Sequence, residues 1–305
     1  MNVTLKQLRV FCALYEMRSF TAAARAAFVT QSAVSKLCAE LEAEVGQPLF
    51  ERSTRSVIPC DGAADFYAYA QEVLGTIRAA ERSMSGLRSL ERGVVGVATS
   101  PLMMIGLVGE PIRAFHRRYP GVKLDLYELS SDDTIEHVRH GRVDFGIVAL
   151  EEAPEHLETQ VIYRDTMFAV CAPAHPLARL TVVLWKDLAT HDHVALRNVY
   201  AVRRSLDRLS AKLGLSFSYR VEAGLLTSVL SMVQGGLGIT VVPGYACHFA
   251  RQLGLRVIGI EDAHQQGHEL SLIRRRNARL SFAAETFLQD LKVHLEERGR
   301  SPEKA

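Results

Sequence analysis

The sequence predicts an all-helical head carrying a small β-hairpin, a long connecting helix, and a two-lobed α/β domain. Residues 1–90 keep apolar side chains at helical spacing and are poor in Gly and Pro. Residues 63–87 alternate three- and four-residue apolar steps without a break, and from residue 93 onward β-rich runs alternate with helical ones. A length of 305 residues suits about two folded units at roughly 150 residues each. With 48% hydrophobic and 23% charged residues, the chain has the composition of a globular protein able to bury a sizeable core.

In the head, Leu5, Leu8, Phe11 or Cys12, and Tyr15 recur at helical spacing. Ser19 is placed to cap a second helix over 21–27. Thr30 caps a third, whose apolar face is Val34, Leu37, Cys38, Leu41 and Val45 and which Gly46 ends. Three short helices with a tight joint can be a plain bundle, but the charges favour contact with nucleic acid. From Met17 through Ala39 stand Arg18, Arg25 and Lys36 and no acid, whereas Glu40, Glu42 and Glu44 come at the far end of the third helix. In a helix-turn-helix, the N-terminal side chains of the second helix enter the major groove, where hydroxyls and amides read base edges. Gln31, Ser32 and Ser35 hold those places, and Arg18, Thr21, Thr30 and Lys36 complete the candidate set.

Past Gly46, Leu49-Phe50 and Val57-Ile58 flank a polar basic segment that reads as a hairpin wing. Arg52 and Arg55 at its tip suit phosphates or a narrow minor groove, although an Arg taken singly is more often a solvated surface charge. Ala63, Phe66, Ala70, Val73, Ile77, Ala80, Met84 and Leu87 then form a coiled-coil seam, and a sustained 3.5-residue period calls for a partner helix. The alternative is a long amphipathic helix packed on its own chain.

Five segments at fixed spacing carry a family resemblance: Leu5-Lys6-Gln7-Leu8, Ser19-Phe20-Thr21-Ala22-Ala23-Ala24, Thr30-Gln31-Ser32-Ala33-Val34-Ser35, Leu41-Glu42 with Gly46, and Pro48-Leu49-Phe50-Glu51-Arg52. Together they resemble the winged helix-turn-helix of LysR-type transcriptional regulators, and the resemblance extends over the whole chain. The sequence departs from that pattern at Pro59-Cys60-Asp61-Gly62, where the family often has Leu-Thr before an Ala-Gly opening the linker helix. The domains implied are a winged helix-turn-helix over 1–62, a linker and dimerisation helix over 63–91, and an effector-binding domain over 92–305. Within the last, lobe I takes about 92–163 and 267–305, and lobe II about 164–266.

In that second half, strands at 93–98, 122–128 and 143–148 alternate with helices at 105–119 and 132–140. A second round places strands near 166–172, 194–197, 217–221 and 238–242 and helices near 201–213 and 226–234, before a last strand at 269–274 and helix at 281–295. Such repetition implies a largely parallel, doubly wound sheet with ligand sites beyond the carboxyl ends of its strands. The lobes resemble the periplasmic-binding-protein-like effector domain of the same family, which implies a small molecule bound between them; the residues at the strand ends suit a small organic acid. Thr99 and Ser100 follow the first strand, Ser131 follows the second, and Arg197 and Asn198 follow a strand of the other lobe, with Tyr200 and Thr227 nearby. Hydroxyls and amides at helix starts seat a carboxylate, and a guanidinium pairs with it. Simple capping also explains Ser100 and Ser131, and a surface ion pair Arg197.

Other classes fit less well. The 36 Lys and Arg against 34 Asp and Glu give a net charge of +2, so neither a basic tail nor an acidic disordered chain is present. Cys12, Cys38, Cys60, Cys171 and Cys247 are odd in number and form no CxxC, which points to a reducing, cytosolic setting and away from zinc fingers or a disulfide framework. Residues 223–250 lack Asp, Glu, Lys and Arg, but Gly235-Gly236-Leu237-Gly238 and the β-branched run after it read as helix, turn and strand, so no membrane span is expected. No nucleotide-loop, nucleophile-elbow or zinc-protease motif occurs, and no enzyme or cofactor is expected. The two His of His191-Asp192-His193 alternate across a strand or lie in a loop, without a third metal ligand, so a surface loop is the reading preferred to a metal site, and Cys247 reads as a partly buried structural thiol. The expected partners are double-stranded DNA with an interrupted dyad, a small-molecule effector, a second copy of the chain in a dimer or tetramer, and RNA polymerase as a further candidate. A redox-sensing regulator using Cys171 or Cys247 and a stand-alone ligand-binding protein are the alternatives.

Overall fold

The computed structural model describes residues 2–52, 57–84, 90, 92–150, 152–261, 268–276 and 278–300. The chain divides into two compact units, Met1–Glu81 with Arg139–Arg142, and Arg82–Val138 with Val143–Ala305.

In the first unit, α1 (Leu5–Met17) starts on a capping box in which Thr4 Oγ1 accepts from the Gln7 amide and the Gln7 side chain accepts from the Thr4 amide. Ser19 Oγ accepts from the Ala22 amide to start α2 (Phe20–Ala26), and Thr30 Oγ1 accepts from the Ala33 amide to start α3 (Gln31–Val45). Gly46 ends α3 at φ +80°, the left-handed cap that a residue without Cβ adopts at least cost. Phe11 is fully buried and packs against the rings of Tyr15, Phe50 and Phe66. Around it Leu8, Leu14, Ala23, Val34, Leu41 and Leu49 close the core. The Glu42 carboxylate accepts from the Leu49 and Phe50 amides at 2.9 and 3.1 Å, which ties α3 to the antiparallel wing of β1 (Phe50–Arg52) and β2 (Val57–Pro59).

The long helix α4 (Ala63–Met84) follows the wing, and its seam is divided. Ala63, Ala70 and Leu74 are buried in the head's own core with Phe66 against it. Tyr69 and Val73, in contrast, are 69% and 45% exposed. The first half of the expected coiled-coil seam therefore closes the three-helix head, which otherwise lacks a wall on that side. Leu87 and the Met84 side chain lie outside the described residues.

The second unit opens with β3 (Gly93–Thr99), α5 (Pro101–Met103), a π turn (Met104–Val108) and α6 (Gly109–Arg118). Then come β4 (Val122–Glu128), α7 (Ser131–Arg139), β5 (Phe145–Val148) and β6 (Leu157–Asp165). The other lobe runs through β7 (Met167–Cys171), β8 (Val182–Val183), α8 (Trp185–Leu188), β9 (Asp192–Leu196), α9 (Ala201–Leu213), β10 (Ser218–Ala223), α10 (Leu226–Gln234), β11 (Thr240–Pro243), α11 (Cys247–Gln252) and β12 (Arg256–Ile260). The chain then returns through β13 (His268–Arg275) and α12 (Phe282–Arg300). Phe287 of α12 packs on Phe115 and Phe145 of lobe I.

Lobe I has the strand order β4-β3-β5-β13-β6, with the first three parallel and β13 antiparallel to both β5 and β6. Lobe II pairs β11-β7-β12 antiparallel with β8 parallel at the edge, and a parallel β9–β10 pair joins β11 through a bridge between His193 and Ile239. Among the named strands, pairing is thus parallel across β4, β3 and β5, between β9 and β10, and between β8 and β12, and antiparallel elsewhere. β6 and β13 oppose one another because one leaves lobe I and the other returns to it. At the exit from β6, Asp165 accepts from the Thr166 and Tyr245 amides, each at 2.8 Å, and burial raises its pKa in spite of those donors.

Candidate DNA interface and effector site

The head places Thr30, Gln31, Ser32, Ser35 and Lys36 together at the start of α3. Gln31, Ser32 and Lys36 are exposed, Ser35 is half-buried, and Val34 and Cys38 on the opposite face anchor the helix in the core. The Thr30 hydroxyl caps α3 and lies 3.0 Å from Ser32 Oγ. Thr21 is exposed in the first turn of α2, and Arg18, the left-handed cap of α1, lies over the Tyr15 ring at 4.2 Å. Lys36 pairs with Glu40 at 3.8 Å across a helical turn, an exposed pair that DNA can displace. Arg55 and the side chain of Arg52 lie outside the described residues, while their wing strands are in place. Behind this surface, Tyr67 and Gln71 of α4 donate to the Glu16 carboxylate at 2.6 and 3.0 Å. Burial and that carboxylate push the Tyr67 hydroxyl up to about 12.

In lobe I, the effector candidates are largely engaged by their own fold. Thr99 is fully buried and its hydroxyl donates to the Ile147 carbonyl at 2.7 Å, so it clamps β3 to β5 and is corrected from a ligand contact to a core residue. Ser100 Oγ accepts from the Met103 amide at 3.3 Å and remains half-buried. At α7, Ser130 supplies the cap: its Oγ accepts from the Asp133 amide and donates to the Asp133 carboxylate. Ser131 is the first residue of the helix and is buried.

Lobe II is open where lobe I is closed. Tyr200 and Leu225 occupy the N-cap positions of α9 and α10 without a side-chain cap, so the first amides of both helices lack a capping oxygen. Arg197 and Asn198 are exposed just past β9, Thr227 is exposed in the first turn of α10, and the Arg197 side chain has no ion pair among the described residues. Arg203 braces this end from below. Its guanidinium reaches Asp207 at 2.9 Å, Glu222 at 2.6 Å and the Leu196 carbonyl at 3.1 Å, and lies over the Tyr219 ring. Leu102, two residues past Ser100, shares a small cavity wall with Leu196, Arg203 and Leu226, so the lobe I helix start and the lobe II strand end converge.

Two features escaped the sequence. A cavity of ≈ 700 Å³ lies among the π turn, α11 and α12, lined by Ile105, Arg113, Tyr245, Phe249, His294 and Arg298, and none of the expected effector residues line it. Nothing in the apolar spacing marks such a meeting of three distant segments. His193 is buried with a ring nitrogen 2.9 Å from the Leu188 carbonyl and its pKa lowered by burial, which corrects the surface-loop reading of residues 191–193. No group of three metal-binding side chains exists among the described residues. Cys171 and Cys247 are buried, and burial raises both thiols, Cys247 to about 12. No helix among the described residues is long and apolar enough to cross a membrane.

A winged helix-turn-helix joined to a two-lobed α/β domain defines a DNA-binding regulator with a domain for an effector. Residues 5–63 match the bacterial regulatory helix-turn-helix protein model of the lysR family, and residues 88–296 match the LysR substrate binding domain. The chain belongs to the LysR family of transcriptional regulators. It is 30% identical over 285 residues to the uncharacterized HTH-type transcriptional regulator YfeR of Shigella flexneri, covering 93% of this chain and 92% of that protein. Among solved structures it resembles a full-length OxyR from Pseudomonas aeruginosa (TM-score 0.70, 20% identity, 96% of this chain and 98% of that one). It also resembles full-length CbnR complexed with its target DNA (TM-score 0.59, 19% identity, 96% and 99%). YfeR and the RuBisCO operon transcriptional regulator of Allochromatium vinosum, 25% identical over 291 residues (94% of this chain and 95% of that protein), are named regulators and not enzymes.

Proposed function

We propose that this regulator is a cytosolic homo-oligomer that reads an interrupted dyad in DNA and answers to a small organic acid held between its lobes. The division into a head over 1–62, a linker helix over 63–91 and an effector domain beyond it belongs to the same reading. Gln31, Ser32 and Ser35 read base edges, Arg18, Thr21, Thr30 and Lys36 hold the phosphates, and Arg52 and Arg55 of the wing add backbone or minor-groove contacts. The exposed Tyr69 and Val73 face of α4 supplies the contact with a second copy, and RNA polymerase is a further partner.

The observation that carries the effector reading is the pair of uncapped helix starts in lobe II beside the exposed Arg197, which has no ion pair among the described residues. Together these offer a carboxylate both backbone donors and a cation. Asn198, Tyr200 and Thr227 belong to that seat on this reading, with Ser100 and Ser131 as its candidates from lobe I. The acid acts as a switch only by binding one arrangement of the lobes more tightly than another. The buried thiols with raised pKa oppose a redox switch, since a sensor cysteine needs an accessible thiolate.

Fluorescence anisotropy on the tightest duplex selected from a random library tests the DNA reading. Gln31→Ala should change base preference, whereas Arg55→Ala should weaken all sequences alike and lower the salt slope by about one. Unchanged binding in both variants would refute this docking.

A further inference from the structure

The joint between α2 and α3 holds a residue that the fold itself does not favour. The Phe28 amide donates to the Arg25 carbonyl at 3.3 Å and the Val29 amide to the Ala24 carbonyl at 3.0 Å, the paired bonds of a Schellman ending. That ending puts Phe28 at φ +54°, a left-handed conformation that Gly or Asn adopts readily and a bulky side chain does not. The ring gains nothing from the folded head in return, because Phe28 is 95% exposed, the most exposed large apolar residue among those described. Val29 beside it packs on the core, so the turn is anchored without the ring.

Its place explains what an aromatic can do there. Phe28 stands two residues before Thr30, the cap of the helix whose first turn carries Gln31 and Ser32, and it lies within the stretch from Met17 through Ala39 that has basic residues and no acid. A duplex brought to that helix start presents thymine C5-methyl groups in the major groove, the apolar feature of base edges that an aromatic ring covers. We propose that Phe28 is a specificity-determining residue that packs on a thymine methyl of the operator beside the bases read by Gln31 and Ser32. The proposal rests on the DNA docking above and adds an apolar reading element to its polar ones.

The test uses the full-length chain, wild type and Phe28→Gly, with Phe28→Asn as a second variant able to adopt the same backbone. Each is titrated against the library-selected duplex and against copies in which single thymines are replaced by deoxyuridine, which lacks only the methyl. A covered methyl is worth about fourfold in Kd, from about 0.8 kcal/mol per buried carbon. Wild type should lose about that factor at one thymine per half-site, and both variants should be insensitive to the replacement there. The melting temperature of Phe28→Gly should be equal to or above that of wild type, since the substitution relieves the left-handed residue. Wild type indifferent to every deoxyuridine, or variants that keep the wild-type response, would overturn the proposal. If Gln31→Ala still alters base preference while Phe28→Gly changes nothing, the docking stands and the role of Phe28 falls.

Discussion

The two lobes of the effector domain prepare their helix starts in opposite ways. Lobe I fills them from within: Ser100 caps α5, Ser130 caps α7, and Thr99 gives its hydroxyl to a neighbouring strand. Lobe II leaves α9 and α10 uncapped behind Tyr200 and Leu225 and sets Arg197 beside them. A Ser at a helix start is a cap before it is anything else, whereas an anion gains most where amide donors and a cation remain unspent. On the proposed function, the seat for a carboxylate is therefore weighted toward lobe II, with lobe I as the facing wall.

The contrast can be pressed through three changes. The largest effect belongs to His268 on β13, 5% exposed and with its pKa lowered by burial to about 4. Between pH 6.5 and 4 the unfolded chain takes up a proton there that the folded chain refuses, so stability falls as pH falls through that window. The loss reaches about 3 kcal/mol at the acid end. Denaturant melts of wild type and His268→Gln at several pH values should show a shallower acid slope in the variant; parallel slopes would contradict it.

Next is Arg203, which braces the lobe II loop through Asp207, Glu222 and the Leu196 carbonyl. Arg203→Met should cost about 2 kcal/mol by leaving these partners unmet, and should weaken effector response by loosening Arg197 and Asn198. A variant as stable as wild type would show that the brace carries no weight. The smallest change is Ser130→Ala, which removes a cap worth about 1 kcal/mol and should leave effector affinity within twofold of wild type. A larger loss of affinity would move the seat toward lobe I.

Much of the architecture was legible from residues. The caps at Ser19 and Thr30, the stop at Gly46, and α9 and α10 stand where the spacing predicts them, because local chemistry decides such boundaries. Neither β6 nor β12 was expected; β6 is an edge strand whose Glu158, Thr159 and Gln160 hide its alternation. The direction of β13 depends on the chain's return to lobe I, which no local pattern encodes. At the candidate site, sequence named the residues but not the state of their side chains. Whether Ser130 or Ser131 caps, whether Thr99 is spent, and whether His193 is buried follow from tertiary packing alone.

The most direct measurement is calorimetric. A panel of short mono- and dicarboxylic acids is screened by thermal shift on the full-length protein, and the acid with the largest shift is titrated into wild type, Arg197→Gln and Ser130→Ala. The account predicts binding to wild type, a loss of at least about tenfold in Arg197→Gln through the removed charge-assisted bond, and near wild-type affinity in Ser130→Ala. Equal affinity in wild type and Arg197→Gln, or an abolished titration only in Ser130→Ala, would contradict it.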